Sequence, residues 1–339
     1  MAPAVSPHDV PHRAHESLVG SQRDTALFLG STTELRGLHP SGTLVKVLVR
    51  RLRLRDIAEW ESRGWKSKPN LGAAAREHAD LRRILARAGA DVVEADAPGQ
   101  ANPDAIYVCD PALITSAGGL MLRPGKEVRR SEVDQLEKDF RRIGFPIVGR
   151  IEPPACVEGG DLMWLDSATL LVGRSYRTND AGVRALIHLL KGVQVLPFDV
   201  PHWQGPTKVL HLTSMISRLD RDLVVACVPL LPVGLVQLLV RRGIQIVESP
   251  DSEWESLGPN VLALGHRRAL ALQGNPVTRD RMMEAGVQVL TYSGEEISRK
   301  GEGGPTCLTL GLSRNVEQEP RDDQDNLAAS LGPVAVGRI

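Results

Sequence analysis

Apolar positions in this chain change period several times, and the changes recur. Short apolar or alternating runs, the signature of strands, are followed by segments with apolar residues three and four apart, the signature of a helix face, and then by another short strand. The round repeats at intervals of roughly 45 residues, about five times, which marks an internal repeat. The first round pairs VKVLVRR with a helix from Leu71 to Gly89 and the strand DVVEAD; Leu81, Ile84 and Leu85 share one helix face, and Gly89 is a stop signal. In the second, IYVCDPALIT and GLMLRP lead to Ser131-Glu132-Val133-Asp134, an S-x-x-D helix start, with Val133, Leu136, Phe140 and Ile143 as the apolar stripe and FPIVGRI as the closing strand. The third reads DLMWLD, TLLVGRS, a helix through AGVRALIHLL and VQVLPFDV. The fourth reads TKVLHLTSMI, DLVVACV, a helix around VGLVQLLVRRG and IQIVES, and the fifth NVLALG, RALALQ, a helix through TRDRMMEAG and VQVLTYS.

The β-rich stretch GPTCLTLGLS stands alone after the fifth round, and its natural place is completing the first unit, joining the two ends of the chain. A cyclic array of mixed ββαβ units results, with a central channel that strand ends from separate units can reach. The fold class is therefore α/β. One domain is expected over residues 25–314, flanked by tails at 1–24 and 315–339 that lack strand or helix periods and are broken by Pro and Gly.

Composition narrows the partner. Lys+Arg and Asp+Glu each total 41, so no net field draws the chain to nucleic acid or an anionic membrane, and a charged small molecule would have to be read by a local site. Cys109, Cys156, Cys227 and Cys307 form no C-x-x-C pair, which argues against a zinc ribbon or a disulfide framework and for a reducing compartment. No apolar run reaches the ~20 residues of a membrane span, and the opening segment lacks a signal-type apolar core. A cytoplasmic location is expected, and a homo-oligomer is compatible with the sequence.

Candidate chemistry is scattered, and each piece has a plain reading. Cys307, where a Gly-Pro break meets a strand, alone reads as a small buried apolar residue. His211, in the strand-like run VLHLT, alone reads as a satisfied core histidine whose side chain shares a face with Val209 and Thr213. Glu158-Gly159-Gly160-Asp161 is a tight acidic turn, or two carboxylates pointing into one space where glycines admit close approach to a ligand. Asp104 and Asp110 bracket the apolar run AIYVC, and Arg129 and Arg177 each precede a helix start where a solvated arginine is ordinary.

Taken together these pieces resemble the guanidino-group-modifying superfamily, closest to the dimethylarginine dimethylaminohydrolases and more distantly the arginine deiminases. The resemblance covers residues 102–314 and rests on PDAIYVCDPALIT, RPGKEVRRSEV, VEGGDLMWLD, VGRSYRTN, KVLHLTSMI and PTCLTL in family order. It implies a pseudo-fivefold α/β propeller, the pentein fold, in agreement with the repeat read from periodicity. It further implies Cys307 as nucleophile, His211 as general acid and base, Glu158 and Asp110 as carboxylates that hold a guanidinium, and Arg129 and Arg177 as partners of a substrate α-carboxylate. Asp104 matches a further acid of the substrate loop and Asp161 the second acid of the E-G-G-D turn.

That chemistry makes physical sense of the set. A guanidinium is protonated at any ordinary pH, so its carbon is a poor electrophile until paired carboxylates fix its plane and localise its charge. A thiolate can then attack to give a covalent amidino-thioether, and one imidazole can protonate the leaving amine and later deprotonate water. The expected ligand is a small guanidino amino acid, arginine or an Nω-substituted arginine, giving citrulline plus ammonia or an amine. No metal or organic cofactor is called for. Arginine deiminases usually continue the histidine motif as H-L-D, where this chain has Thr213, and dimethylargininases typically have Glu-Asp where it has Cys109-Asp110; these departures leave the choice among arginines open. An amidinotransferase using the same intermediate, and a catalytically silent arginine-binding propeller, are the alternatives.

Overall fold

The computed structural model describes residues 36–96, 99–206 and 208–315. The expected tails, apart from Asn315, and residues 25–35 of the expected domain lie outside the described residues.

Strands β1 (Thr43–Val49) to β15 (Leu310–Asn315) form five three-stranded sheets, each with one inner, one middle and one outer strand. The second unit shows the plan. Inner β3 (Ala112–Thr115) turns back antiparallel into middle β4 (Gly118–Met121), helix α3 (Arg130–Arg142) crosses over, and outer β5 (Ile147–Arg150) lies parallel to β4. Parallel neighbours require such a crossover, which is why each unit needs its helix. The third unit is β6 (Leu162–Asp166), β7 (Thr169–Arg174), α4 (Asp180–Leu189) and β8 (Gln194–Asp199). The fourth is β9 (Ile216–Asp220), β10 (Leu223–Ala226), α6 (Val233–Arg241) and β11 (Gln245–Glu248), and the fifth β12 (Leu262–Gly265), β13 (Arg268–Leu272), α7 (Pro276–Glu284) and β14 (Gln288–Tyr292).

The first unit is closed by the end of the chain, as the sequence pattern required. Strand β15 pairs antiparallel with β1, and β1 pairs parallel with β2 (Asp91–Glu94) through α2 (Leu71–Arg87). Asn70 caps α2 by accepting a hydrogen bond from the Ala73 amide, and the chain leaves the helix through Gly89 at φ +102°, a left-handed conformation that favours glycine. Two single-turn helices, α1 (Leu54–Ile57) and α5 (Leu212–Met215), lie in connections.

Middle strands are covered on both faces, and β4 and β10 are buried at every position, hence the continuous apolar runs in the sequence. Each helix stripe packs on its own sheet: Val133, Leu136 and Phe140 are 2%, 0% and 0% exposed, and Leu81 and Leu85 are fully buried against Val47 and Val49. At roughly 1.5–3 kcal/mol per fully buried large apolar side chain, these stripes are the main force seating the helices.

Three local expectations are corrected. His211 is not in a strand: it caps α5, and β9 begins only at Ile216, because the Leu212 amide is drawn to Asp161 Oδ1 at 3.2 Å. Residues 103–110 form a short 3-10 turn (Pro103–Ile106) and a further turn, capped by the Asn102 side chain on the Asp104 amide, and the strand starts at Ala112. Ser131 is not the cap of α3, which is entered instead through a 3-10 turn at Glu127–Arg129.

Candidate active site

Inner strands β3, β6, β9, β12 and β15 surround the channel, and the segment leading into each of them carries one polar residue at the same end: Asp110, Glu158, His211, Asn260 and Cys307. Their spacing matches the structural repeat, one residue per unit. A closed ring of repeats thus converts residues scattered over two hundred positions of chain into one cluster.

Cys307 lies in the turn after Gly304-Pro305, with its amide bonded to the Gly304 carbonyl at 3.0 Å. Asn260 fixes that turn. Its Oδ1 accepts from the Thr306 amide at 3.1 Å and the Thr306 hydroxyl at 2.8 Å, while its Nδ2 lies 3.5 Å from Cys307 Sγ. The Cys109 amide reaches the Cys307 carbonyl at 3.4 Å, so the two cysteines are direct neighbours. The Cys109 thiol as hydrogen-bond partner, against the opposing effect of burial and with the help of the His211 charge, brings the Cys307 thiol down to about 7. The same hydrogen bond and burial push Cys109 well up. Of the two sulfurs, Cys307 is the one placed to ionise.

His211 is oriented by carboxylates. Its Nε2 lies 2.9 Å from Glu158 Oε2, and a Cβ on Gly160 would stand 2.6 Å from His211 Nδ1, so glycine at that position is what lets the ring lie flat on the E-G-G-D turn. Burial disfavours the imidazolium, but Asp161, Glu158 and Asp110 outweigh it and hold the pKa at about 10. Glu158 is fully buried; burial works against its ionisation, yet the bond and charge of His211, with Arg177 and Arg129 beyond, hold it down to about 2. Its Oε1 also accepts from the Lys126 amide at 3.0 Å and faces Arg177 Nη1 at 3.4 Å. Asp161 turns away from this space, accepting from the Ser175 hydroxyl at 2.6 Å and the Leu212 amide, and burial raises its pKa to about 6.

The remaining expected residues divide into two groups. Asp110 accepts from the Gly160 amide at 2.8 Å and from Arg129 Nη1, while Arg129 also binds Glu132 at 2.7 and 2.8 Å and the carbonyls of Asp104 and Tyr107. Arg129 is 5% exposed, and this set of partners engages all three of its nitrogens. Arg177 is more open, and among the described residues its guanidinium has only the single contact with Glu158. Asp104 is buried, with Oδ1 bonded to Trp65 Nε1 at 2.9 Å and Oδ2 to Lys126 Nζ at 2.6 Å. Asn260 and Lys126 were missed in the sequence, and Cys109 was marked there only as a departure from the Glu-Asp of dimethylargininases. The signal for Asn260 is its place one repeat before Cys307.

Asp110, Glu158 and His211 bring ligand-type atoms within 4.8 Å of one another. Each is already engaged by a cation or amide of the protein: Asp110 by Arg129 and Gly160, Glu158 by His211, Arg177 and Lys126. The arrangement suits a planar organic cation that can share these acceptors, with a sulfur on one side and an imidazole on the other.

Residues 61–314 match the family model for eukaryotic N,N dimethylarginine dimethylhydrolase. The N(G),N(G)-dimethylarginine dimethylaminohydrolase of Pseudomonas aeruginosa is 30% identical over 268 residues, 79% of this chain and 99% of that protein. An arginine deiminase of Mycoplasma capricolum is 28% identical over 199 residues, 48% of each chain. Among solved structures, a mutant of the Pseudomonas aeruginosa enzyme complexed with citrulline superposes with a TM-score of 0.65 at 27% identity, covering 79% of this chain and 99% of that one. The N-terminal domain of the cyanobacterial arginine dihydrolase ArgZ superposes with a TM-score of 0.68 at 16% identity, over 80% of this chain and 98% of that one, and so shares the fold.

Proposed function

The chain belongs to the dimethylarginine dimethylaminohydrolase family, a family of hydrolases acting on C–N bonds of linear amidines, and on that premise we propose that it hydrolyses the guanidino group of arginine or an Nω-substituted arginine through a thioether on Cys307. The observation that carries the proposal is the His211–Glu158 pair on the ring that also holds Cys307, with the imidazolium favoured and the thiol pulled toward ionisation.

In the proposed cycle the substrate guanidinium lies against Glu158 and Asp110. The Cys307 thiolate forms a C–S bond to the central guanidino carbon, and the C–N electron pair of one terminal nitrogen leaves with a proton from His211 as ammonia or an alkylamine. Neutral His211 then takes a proton from water, whose oxygen attacks the same carbon; the C–S bond breaks, Cys307 leaves as thiolate, and a ureido product such as citrulline remains. Gly160 and Thr213, whose hydroxyl is tied to the Gly160 carbonyl at 2.9 Å, shape the space beside His211 without adding a third acid, which favours a nitrogen bearing alkyl groups. Arg177, with donors to spare, takes the α-carboxylate, and Arg129 positions Asp110.

Incubation of the protein with arginine, monomethylarginine and asymmetric dimethylarginine, with citrulline and released amine both measured, tests the reading. Stoichiometric citrulline and amine from at least one of them, lost in Cys307→Ser, is expected. Turnover that persists in Cys307→Ser, or none with any of the three, contradicts it.

A further inference from the structure

Beneath the ring of polar residues the channel continues as a cavity of ≈ 220 Å³, walled by all five inner strands. Cys109, Gly159, Thr213 and Thr306 form its boundary with the active site. Its sides are apolar, with Leu113, Leu162, Ile216 and Leu262 among them. Two arginines, Arg218 of β9 and Arg314 of β15, interrupt that lining.

Among the described residues, neither arginine has a carboxylate partner. Arg218 is 9% exposed, and among the described residues its Nε and Nη1 are buried without a hydrogen-bond partner while Nη2 donates to the Arg221 carbonyl. The acids whose charge acts on it, Asp166, Asp220 and Asp222, are held by others: Asp166 by Arg242 at 2.7 Å, Asp220 and Asp222 by Arg267 at 3.5 and 2.6 Å. Arg314 donates to the carbonyls of Gly42 and Ala263 at 2.8 Å each. Burial pulls both guanidinium pKa values down to about 10. A buried donor left unbonded is costly, and a buried charge more so, unless something satisfies it.

We propose that this cavity is a second ligand site, distinct from the guanidino site, for a small monocarboxylate with a compact apolar tail: the carboxylate bonds Arg218 in the field of Arg314, and the tail fills the space between the inner strands. An anionic acceptor is what the lining lacks, because among the described residues Arg242 and Arg267 hold Asp166, Asp220 and Asp222 and leave the single charge of Arg218 without one. A phosphate dianion would overcompensate that charge and leave the apolar wall unfilled. A volume of ≈ 220 Å³ is below the usual range for drug-sized ligands and suits a chain of a few carbons.

The test uses the whole protein and reads binding, not turnover. Hexanoate is titrated by calorimetry and by thermal unfolding, beside acetate, hexanol and hexylamine. Saturable binding and a raised unfolding temperature are expected with hexanoate alone. Replacing Arg218 with methionine, Arg218→Met, keeps the apolar stem, removes the charge and should weaken hexanoate by about tenfold or more. A Leu162→Phe variant, which narrows the cavity and leaves both arginines, should weaken it too and covers the case in which Arg218→Met does not fold. Binding that survives both variants, that acetate or hexanol reproduces, or that is lost in Arg177→Ala instead would overturn the proposal, as would no binding to the native protein.

Discussion

His211 Nε2 and Glu158 Oε2 stand 2.9 Å apart, and the bond joins two repeats whose residues are 53 positions apart in the chain. Together with the charges of Asp161 and Asp110, it favours the imidazolium of His211, with Glu158 as the counter-charge in contact. An acid that is already protonated can deliver its proton to a departing amine without waiting on solvent, which is what the first half-reaction demands.

Removing the counter-charge tests this. In Glu158→Gln the ring keeps a hydrogen-bond acceptor but loses the neighbouring carboxylate, so the His211 pKa falls from about 10 toward its ordinary value near 6.5. We expect kcat to drop by roughly a hundredfold or more, the usual worth of a positioned acid. Titration of the His211 ring by NMR reads the shift directly, and an unchanged ring pKa would contradict the assignment.

If Cys307 is the nucleophile proposed above, the acid limb of the pH profile should be its own. Its pKa, depressed to about 7, makes the thiolate dominant above pH 7 and the thiol dominant below, while His211 stays protonated until pH approaches about 10. For the free enzyme, kcat/KM should therefore rise through pH 7 and fall near pH 10. Cys109→Ala removes the leading cause of the depression and should move the acid limb upward. The rate of alkylation of Cys307 by iodoacetamide, followed against pH in both proteins, measures it without substrate.

Asn260 should act through the Cys307 turn. Asn260→Ala strands the Thr306 amide and releases the sulfur, with an expected loss of ~1–3 kcal/mol of stability and a fall in kcat larger than any change in KM. Asn260→Asp keeps the acceptor for Thr306 but sets a negative charge beside the thiolate, so it should restore stability and raise the Cys307 pKa. Equal effects of the two variants on that pKa would reduce Asn260 to a structural part.

The two arginines expected to share one role should separate. Arg129→Met leaves Asp110 and Glu132 buried without their cation, a loss of order 3–5 kcal/mol that denaturant unfolding will show. Arg177→Met, at a half-buried position with one contact, should change stability little and raise KM for α-carboxylate substrates with kcat nearly kept.

These arginines also mark how far the sequence could be read. The five-unit ring was legible because apolar period switches cleanly between strand and helix in every unit, and because a lone strand at the end of the chain had one vacant place to go. Asp110, Glu158, His211 and Cys307 were legible as types in an order. What was not legible lies in the connections, where no period constrains the backbone: the turn that carries His211 into α5 is set by Asp161 fifty residues earlier, and the 3-10 turn at 103–106 by a cap on Asn102. The occupation of Arg129 depends on Asp110 and Glu132 converging on one guanidinium, which local sequence does not report. Cys109 looked like a strand residue and instead lies in a turn, with its amide on the Cys307 carbonyl at 3.4 Å.

In the proposed cycle the central guanidino carbon of the substrate becomes bonded to Cys307. The most direct test of that bond is mass analysis of the His211→Gly variant mixed with S-methylthiocitrulline, whose methanethiolate leaving group needs no proton from His211, while the water step still needs His211 as its base. Accumulation of a covalent adduct on the peptide containing Cys307, absent when Cys307→Ser is added, is the predicted result. A protein of unchanged mass that nonetheless releases methanethiol and citrulline, or an adduct on Cys109, would contradict it.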